Sequence, residues 1–291
     1  MSAIEIAINS LKENTVDAEI AFFGGSFTAI DREYMLSLLE ATVPYIDRFK
    51  GIRISTRPDY INEEILTILK KYKVTAIELG AQSMDDQVLK ANNRGHNSDD
   101  VVKASHLIKK YGFSLGLQMM TGLYKSTYEA DIETALKFIS LKPDTVRIYP
   151  TVIMKNTELE SLYRENEYIP YSFEDTVDLC ARLLSMFDEH NISVIRLGLH
   201  HSESLQKDMV AGVYHPAFRE LCESKIMLDK ALRLLKENKV CDRCEIMVSP
   251  SCISKMIGNK RSNILRLHEL GYNVKIIQSN DIPYMEVALN R

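Results

Sequence analysis

AIELGAQS, Ala76 to Ser83, and FSLGLQMM, Phe113 to Met120, are two short apolar runs that each end in polar or polarisable side chains. Between them lies a stretch with helical spacing. Ser98 can cap its start, Asp99 and Asp100 fall in its first turn, Val101, Ala104, Leu107, Ile108 and Tyr111 share one stripe, and Gly112 ends it. A strand, an amphipathic helix and a second strand in this order make a βα unit, and such units build a parallel sheet. The same alternation runs outward through AEIAFFGG (18–25) and GIRISTRP (51–58) on one side and TVRIYPTV (145–152) on the other, which makes five units. Beyond an amphipathic helix from about Phe173 to His190, ISVIRLGLH (192–200) supplies a sixth strand.

Composition narrows the function. With 291 residues, 45% of them hydrophobic, the chain has room for one large domain and a small one. A net charge of -4 and a pI near 6.0 exclude a strongly basic protein that coats nucleic acid, so any RNA contact is confined to a local basic loop. The first stretch is acidic where a secretory signal would be basic, and no later run reaches membrane-spanning length, which predicts a cytoplasmic chain without a membrane partner. Five cysteines, at 180, 222, 241, 244 and 252, form no disulfide framework and fit a reducing compartment. Only Cys241 and Cys244 have ligand-like spacing.

Parallel α/β folds place their chemistry at the C-terminal ends of the strands. The runs end in Gly24, Gly25 and Ser26, then Thr56 and Arg57, then Gln82 and Ser83, then Gln118, Met119 and Met120, and finally Tyr149. Polar turns are common, but five strands agreeing points to a site. Tyr149, Tyr163 and Tyr168 can stack on a base, although tyrosine near strand ends usually packs. His200, His201 and His215 lie within sixteen residues but lack a carboxylate at metal-site spacing, so no metal ligands are expected among them.

Read together, FFGGSFTAID (22–31), STRPDYI (55–61), ELGAQSMDDQVLKANNRGH (78–96) and GLQMMTGLYKST (116–127) resemble the radical S-adenosylmethionine (SAM) core of the Elongator catalytic subunit and its bacterial relatives. VIRLGLH (194–200) with AGVYHPAFREL (211–221) looks like the C-terminal extension of that core. The resemblance implies an α/β fold, a partial (β/α)6 barrel with SAM lying across the strand ends. It implies that Gly24, Gly25 and Ser26 meet the methionine amino group of SAM through their backbone, with no room left for a Cβ at the two glycines. It likewise implies that Thr56, Gln82, Arg94 and Gln118 line the ribose and carboxylate, Arg94 through its planar fork. Family members hold a 4Fe-4S cluster with CxxxCxxC in the loop after the first strand, upstream of the glycine motif. The 23 residues before Gly24 contain no cysteine, so the chain is expected to lack that first strand and cluster loop, and no metal ligand is assigned. If catalytic, it needs an electron donor.

The last fifty residues read as strand (CEIMVSP, 244–250), helix (SCISKMI, 251–257), loop (258–261), helix (SNILRLHEL, 262–270), strand (NVKIIQS, 273–279) and strand (MEVAL, 285–289). This small α+β pattern resembles a KH domain, whose GxxG loop clamps a nucleic-acid backbone. The resemblance makes Gly258, Asn259, Lys260 and Arg261 the RNA-binding loop, with Arg261 standing where the second glycine belongs. The expected division is a partial barrel over 1–200, an extension and linking helix over 201–239, and the KH-like domain over 240–291. The function implied is a radical SAM enzyme that forms a 5′-deoxyadenosyl radical to modify tRNA. Two alternatives are a non-catalytic RNA-binding protein on a decayed scaffold, and a radical SAM enzyme acting on a small molecule such as a porphyrinogen.

Overall fold

The computed structural model describes residues 3–11, 17–240 and 243–290. Its strands are β1 (Glu19–Phe22), β2 (Gly51–Thr56), β3 (Val74–Gln82), β4 (Ser114–Thr121), β5 (Thr145–Pro150), β6 (Val152–Met154), β7 (Ser193–Leu197), β8 (Met209–Gly212), β9 (Arg243–Val248), β10 (Asn273–Gln278) and β11 (Val287–Leu289). They fall in two compact units, one of Met1–Tyr149 with His190–Ile195, the other of Pro150–Glu189 with Arg196–Arg291. The segments expected as an extension (201–239) and a C-terminal domain (240–291) belong to the same unit.

In the first unit a six-stranded parallel sheet runs β1-β2-β3-β4-β5-β7 and curls into a half-barrel. All six expected runs are strands of this sheet. Strand alternation sorts its two faces. Ile52, Ile54, Ile77, Leu79, Leu115, Leu117, Val146 and Ile148 are fully buried. Each such side chain removed from water contributes on the order of 1.5–3 kcal/mol. The intervening positions carry Arg53 and Ser55 on β2, Glu78 on β3, Gln118 on β4 and Arg147 on β5. The opposite face is therefore polar, which an apolar core would not tolerate unless those groups bind one another or a ligand.

The helices that cover the sheet start where local chemistry starts them. Asn62 caps helix Glu63–Lys71 by accepting from the Ile65 amide at 2.9 Å. Helix Ser98–Lys110 is capped by Asn97 rather than Ser98, because Asn97 accepts from the Asp100 amide at 3.0 Å while Asp100 accepts from the Asn97 amide at 2.9 Å. Its stripe is buried at Val101, Ala104 and Ile108, and Gly112 beyond it takes φ +79.

In the second unit, β6 and β8 form an antiparallel pair, and β9 lies between β10, parallel to it, and β11, antiparallel. Helix Phe218–Glu237 contributes Met227, Leu228, Ala231 and Leu235 to a core that includes Ile246, Val248, Cys252, Met256 and Leu267. The expected order of strand, helix, helix, strand and strand over the last fifty residues is present. Cys241, half of the one ligand-spaced cysteine pair, lies outside the described residues. Among the described residues no helix is long and apolar enough to cross a membrane.

Candidate functional site

The glycine turn sits at the end of β1. Gly24 and Gly25 take φ +104 and +115, which side-chain-bearing residues rarely adopt, and a Cβ on either would meet nothing within 4 Å. Backbone conformation thus favours glycine at both positions, and the space beside them is open to a ligand. Ser26 then starts the short turn Phe27–Ala29. Thr28 in this turn is buried, and its hydroxyl lies 2.6 Å from the hydroxyl of Thr56, which is 2% exposed. Thr56 thus pins the glycine turn to β2 with a hydroxyl already engaged.

Gln82 ends β3 with φ +67, at a register shift between β3 and β4. A non-glycine residue held in this region is strained by about 1–3 kcal/mol, a cost concentrated at functional sites. Its side-chain amide nitrogen lies over Gly80, and its Oε1 is buried without a hydrogen-bond partner among the described residues. Ser83, next in sequence, is buried and turned away to Thr134 and the Asp85 amide.

Arg94 lies exposed in the loop after helix Asp86–Ala91, and no hydrogen bond or carboxylate among the described residues acts on its guanidinium. Desolvation first, and then the like charge of Arg57, lower its pKa. Arg57 is fixed by two bonds to Asp59, at 3.0 and 2.6 Å, and lies so close over Gly95 that a Cβ there would stand 2.1 Å from its Nη2. The two guanidinium groups lie close enough to repel, and Asp59 bonds Arg57, an arrangement that favours an added anion at Arg94. His96 is buried, desolvation drops its pKa below the ordinary value, and its Nε2 lies 3.0 Å from the Ala81 carbonyl, at the end of β3.

The loop after β4 is held from below. Asp131, 1% exposed, accepts from the Gly122 amide at 2.8 Å and the Ser126 hydroxyl at 2.6 Å, and desolvation outweighs both bonds to push its pKa up to about 6. Asn92 donates through Nδ2 to the Val88 carbonyl at 2.8 Å and the Tyr124 carbonyl at 2.9 Å, tying this loop to the one that carries Arg94.

Gln118 lies half-buried on the polar face. Its Nε2 donates to Glu78 Oε2 at 2.8 Å and to the Ser55 hydroxyl at 3.2 Å. Glu78, 1% exposed, also accepts from Arg147 Nε at 2.6 Å, Arg147 Nη2 at 3.0 Å and Arg53 Nη1 at 3.3 Å, while Arg53 Nε donates to Glu19 at 2.8 Å. A buried carboxylate satisfied this fully is costly to remove, about 3–5 kcal/mol, because Arg147 would lose its carboxylate partner while Arg53 would keep only Glu19. Sequence reading missed Glu78, Arg53, Arg147, Asp131 and Asn92. For the first three the signal was present: a charge at the alternate position of an otherwise apolar strand.

Among the described residues no three His, Cys, Asp or Glu side chains converge on a metal site. Cys180, Cys222 and Cys252 are buried thiols outside any disulfide and Cys244 is half-buried, so the described residues do not supply a 4Fe-4S cluster with ligands. His215 accepts from the Ala217 amide at 3.1 Å, and His201 lies 3.1 Å from the Tyr214 hydroxyl. Tyr168 is buried. In the second unit the Gly258–Arg261 loop exposes Lys260 and Arg261, both with left-handed backbone (φ +49 and +65). Gly258, at φ +79, is hemmed in, since a Cβ would lie 2.5 Å from Ser262 Oγ and 2.9 Å from the Asn263 amide.

A half-barrel of parallel strands with polar, partly unmet groups at its strand ends agrees with the family comparison. The radical SAM superfamily matches residues 3–139 and the radical SAM C-terminal domain matches residues 143–227. The chain belongs to the radical SAM superfamily, which implies SAM and a 4Fe-4S cluster as cofactors. Within it, the chain is similar to Elongator complex protein 3 of Homo sapiens, 33% identical over 204 residues that make 62% of this chain and 37% of the relative. It is also similar to the tRNA uridine(34) acetyltransferase of Methanocaldococcus jannaschii, 28% identical over 55% of this chain and 34% of the relative. The chain therefore spans about a third of the length of the curated relatives it matches. The solved structure of archaeal Methanocaldococcus infernus Elp3 with an N-terminal deletion shares the fold, with a TM-score of 0.64 and 22% identity over 83% of this chain and 60% of that one.

Proposed function

We propose that this chain is the SAM-binding core of a radical SAM enzyme that modifies tRNA. The observation that carries the reading is the set of unmet groups at the strand ends: two positive-φ glycines beside open space, the unpartnered Gln82 Oε1 and the unpaired Arg94 guanidinium. SAM fits them, because its carboxylate suits Arg94, its amino group suits backbone carbonyls at Gly24 to Ser26, and its hydroxyl and amine donors suit Gln82. Thr56 and Gln118 act indirectly here, Thr56 by holding the glycine turn and Gln118 by completing the floor. Bound SAM supplies the 5′-deoxyadenosyl group, and the chain's own residues bind and orient it. No step is assigned to the cluster, since the described residues do not hold one. The tRNA substrate is inferred from the names of the relatives and from the exposed cations Lys260 and Arg261.

Calorimetric titration tests the core claim. SAM should bind the chain, and Arg94→Ala should weaken binding by about tenfold or more, since a hydrogen bond to a charged group contributes roughly 1.5–3 kcal/mol. Absence of SAM binding by the wild-type chain overturns the reading. A version carrying a cysteine loop, its cluster reconstituted anaerobically and reduced with dithionite, should cleave SAM to methionine and 5′-deoxyadenosine.

A further inference from the structure

Phe23, the residue between β1 and the glycine turn, is 51% exposed, whereas its neighbour Phe22 is stacked on Phe27 with centroids 4.7 Å apart. One side of the Phe23 ring is occupied. The Arg147 guanidinium carbon lies 5.1 Å from the ring centroid, and Arg147 is itself fixed by its two bonds to Glu78. Arg147 belongs to β5 and Phe23 follows β1, with β2, β3 and β4 between them in the sheet, so this contact crosses the concave face. A cation over an aromatic face contributes about 0.5–2 kcal/mol and holds the ring in one orientation.

A rigid aromatic ring, braced on one side by a fixed cation and half exposed at the strand ends of a polar sheet face, is a stacking surface. We propose that Phe23 is the platform on which an unpaired base of the RNA substrate stacks, braced from beneath by Arg147 and Glu78. The inference rests on the SAM reading above in one respect. That reading gives the glycine turn beside Phe23 to the methionine end of SAM, so the adenine lies at the other end of the ligand and the Phe23 ring is left for the substrate. Stacking needs no base-specific donor, so the platform sets where the base lies rather than which base it is.

The chain has no tryptophan, which makes the test direct. Phe23→Trp places the sole indole of the protein at the platform, where it keeps the stack on Arg147. A short stem-loop RNA with an unpaired uridine should quench its emission on binding; the same RNA made abasic at that position should not, and SAM alone should not. Phe23→Ala should weaken binding of the stem-loop by about tenfold, Phe23→Tyr should restore it, and the SAM affinity of both should stay within about twofold of wild type. Quenching by SAM alone, equal quenching by the abasic RNA, or stem-loop affinity unchanged in Phe23→Ala overturns the proposal. If the wild-type chain binds no SAM, the proposed function fails by that result, while the tryptophan titration still reports on base stacking by itself.

Discussion

Two glycine-containing loops in this chain look alike in sequence and differ in what their glycines are for. At Gly24 and Gly25 the backbone is left-handed and the Cβ side is empty, while buried side chains such as Thr56 fasten the turn from beneath. At Gly258 the backbone is also left-handed, but the Cβ side is filled by Ser262 and Asn263, and Asn263 is fastened in turn by donating to the Ser224 carbonyl at 2.8 Å and the Lys255 carbonyl at 3.1 Å. The first loop keeps a vacant approach to its backbone, as a ligand site requires. The second consumes its glycine in internal packing and presents the side chains of Asn259, Lys260 and Arg261 outward.

Substitution should separate the two loops by stability and by binding. The largest effect is expected from Gly258→Ala, which combines a disfavoured backbone with contacts of 2.5 and 2.9 Å and should cost about 4 kcal/mol in urea unfolding. A cost under about 1 kcal/mol would break the comparison. Next comes the pH response of the strand-end loops. Asp131 has its pKa raised from 3.8 to about 6, so the folded chain holds that proton more tightly than the unfolded chain. This contribution is fully present below pH ~4, is lost as the pH rises towards 6 and is flat above, about 3 kcal/mol in all. Asp131→Asn should flatten that part of a stability-versus-pH curve.

Gly25→Ala should cost only about 1 kcal/mol of stability, from backbone strain without a clash, yet should weaken SAM binding by about tenfold in the titration used for Arg94. A substitution that lowers stability and leaves SAM affinity untouched would remove the distinction between the loops. The smallest stability effect, within about 0.5 kcal/mol, belongs to Lys260→Glu on the exposed loop. That variant should instead weaken tRNA binding and reduce its salt slope by about one or more, measured by filter retention across a salt series.

What sequence could reveal follows from the range over which each feature is determined. The six strands and their helices are local patterns, so AIELGAQS and its companions were legible directly. The glycine turn was legible too, although its positive φ was not. Thr56 was placed at the site because it ends a strand, but its hydroxyl is committed to Thr28, 28 residues away. Glu78, Arg53 and Arg147 read singly as stray charges; only the curl of the sheet makes them one cluster. The unmet oxygen of Gln82 is likewise a property of the fold, because absence of a partner cannot be seen in a string of residues.

Asn92 has a consequence in time. Its single amide group joins the loop bearing Arg94 to the loop that Asp131 secures, through the Tyr124 carbonyl. The two loops cannot part without breaking that bond, so the pace at which they separate is set in part by a side chain two positions from Arg94.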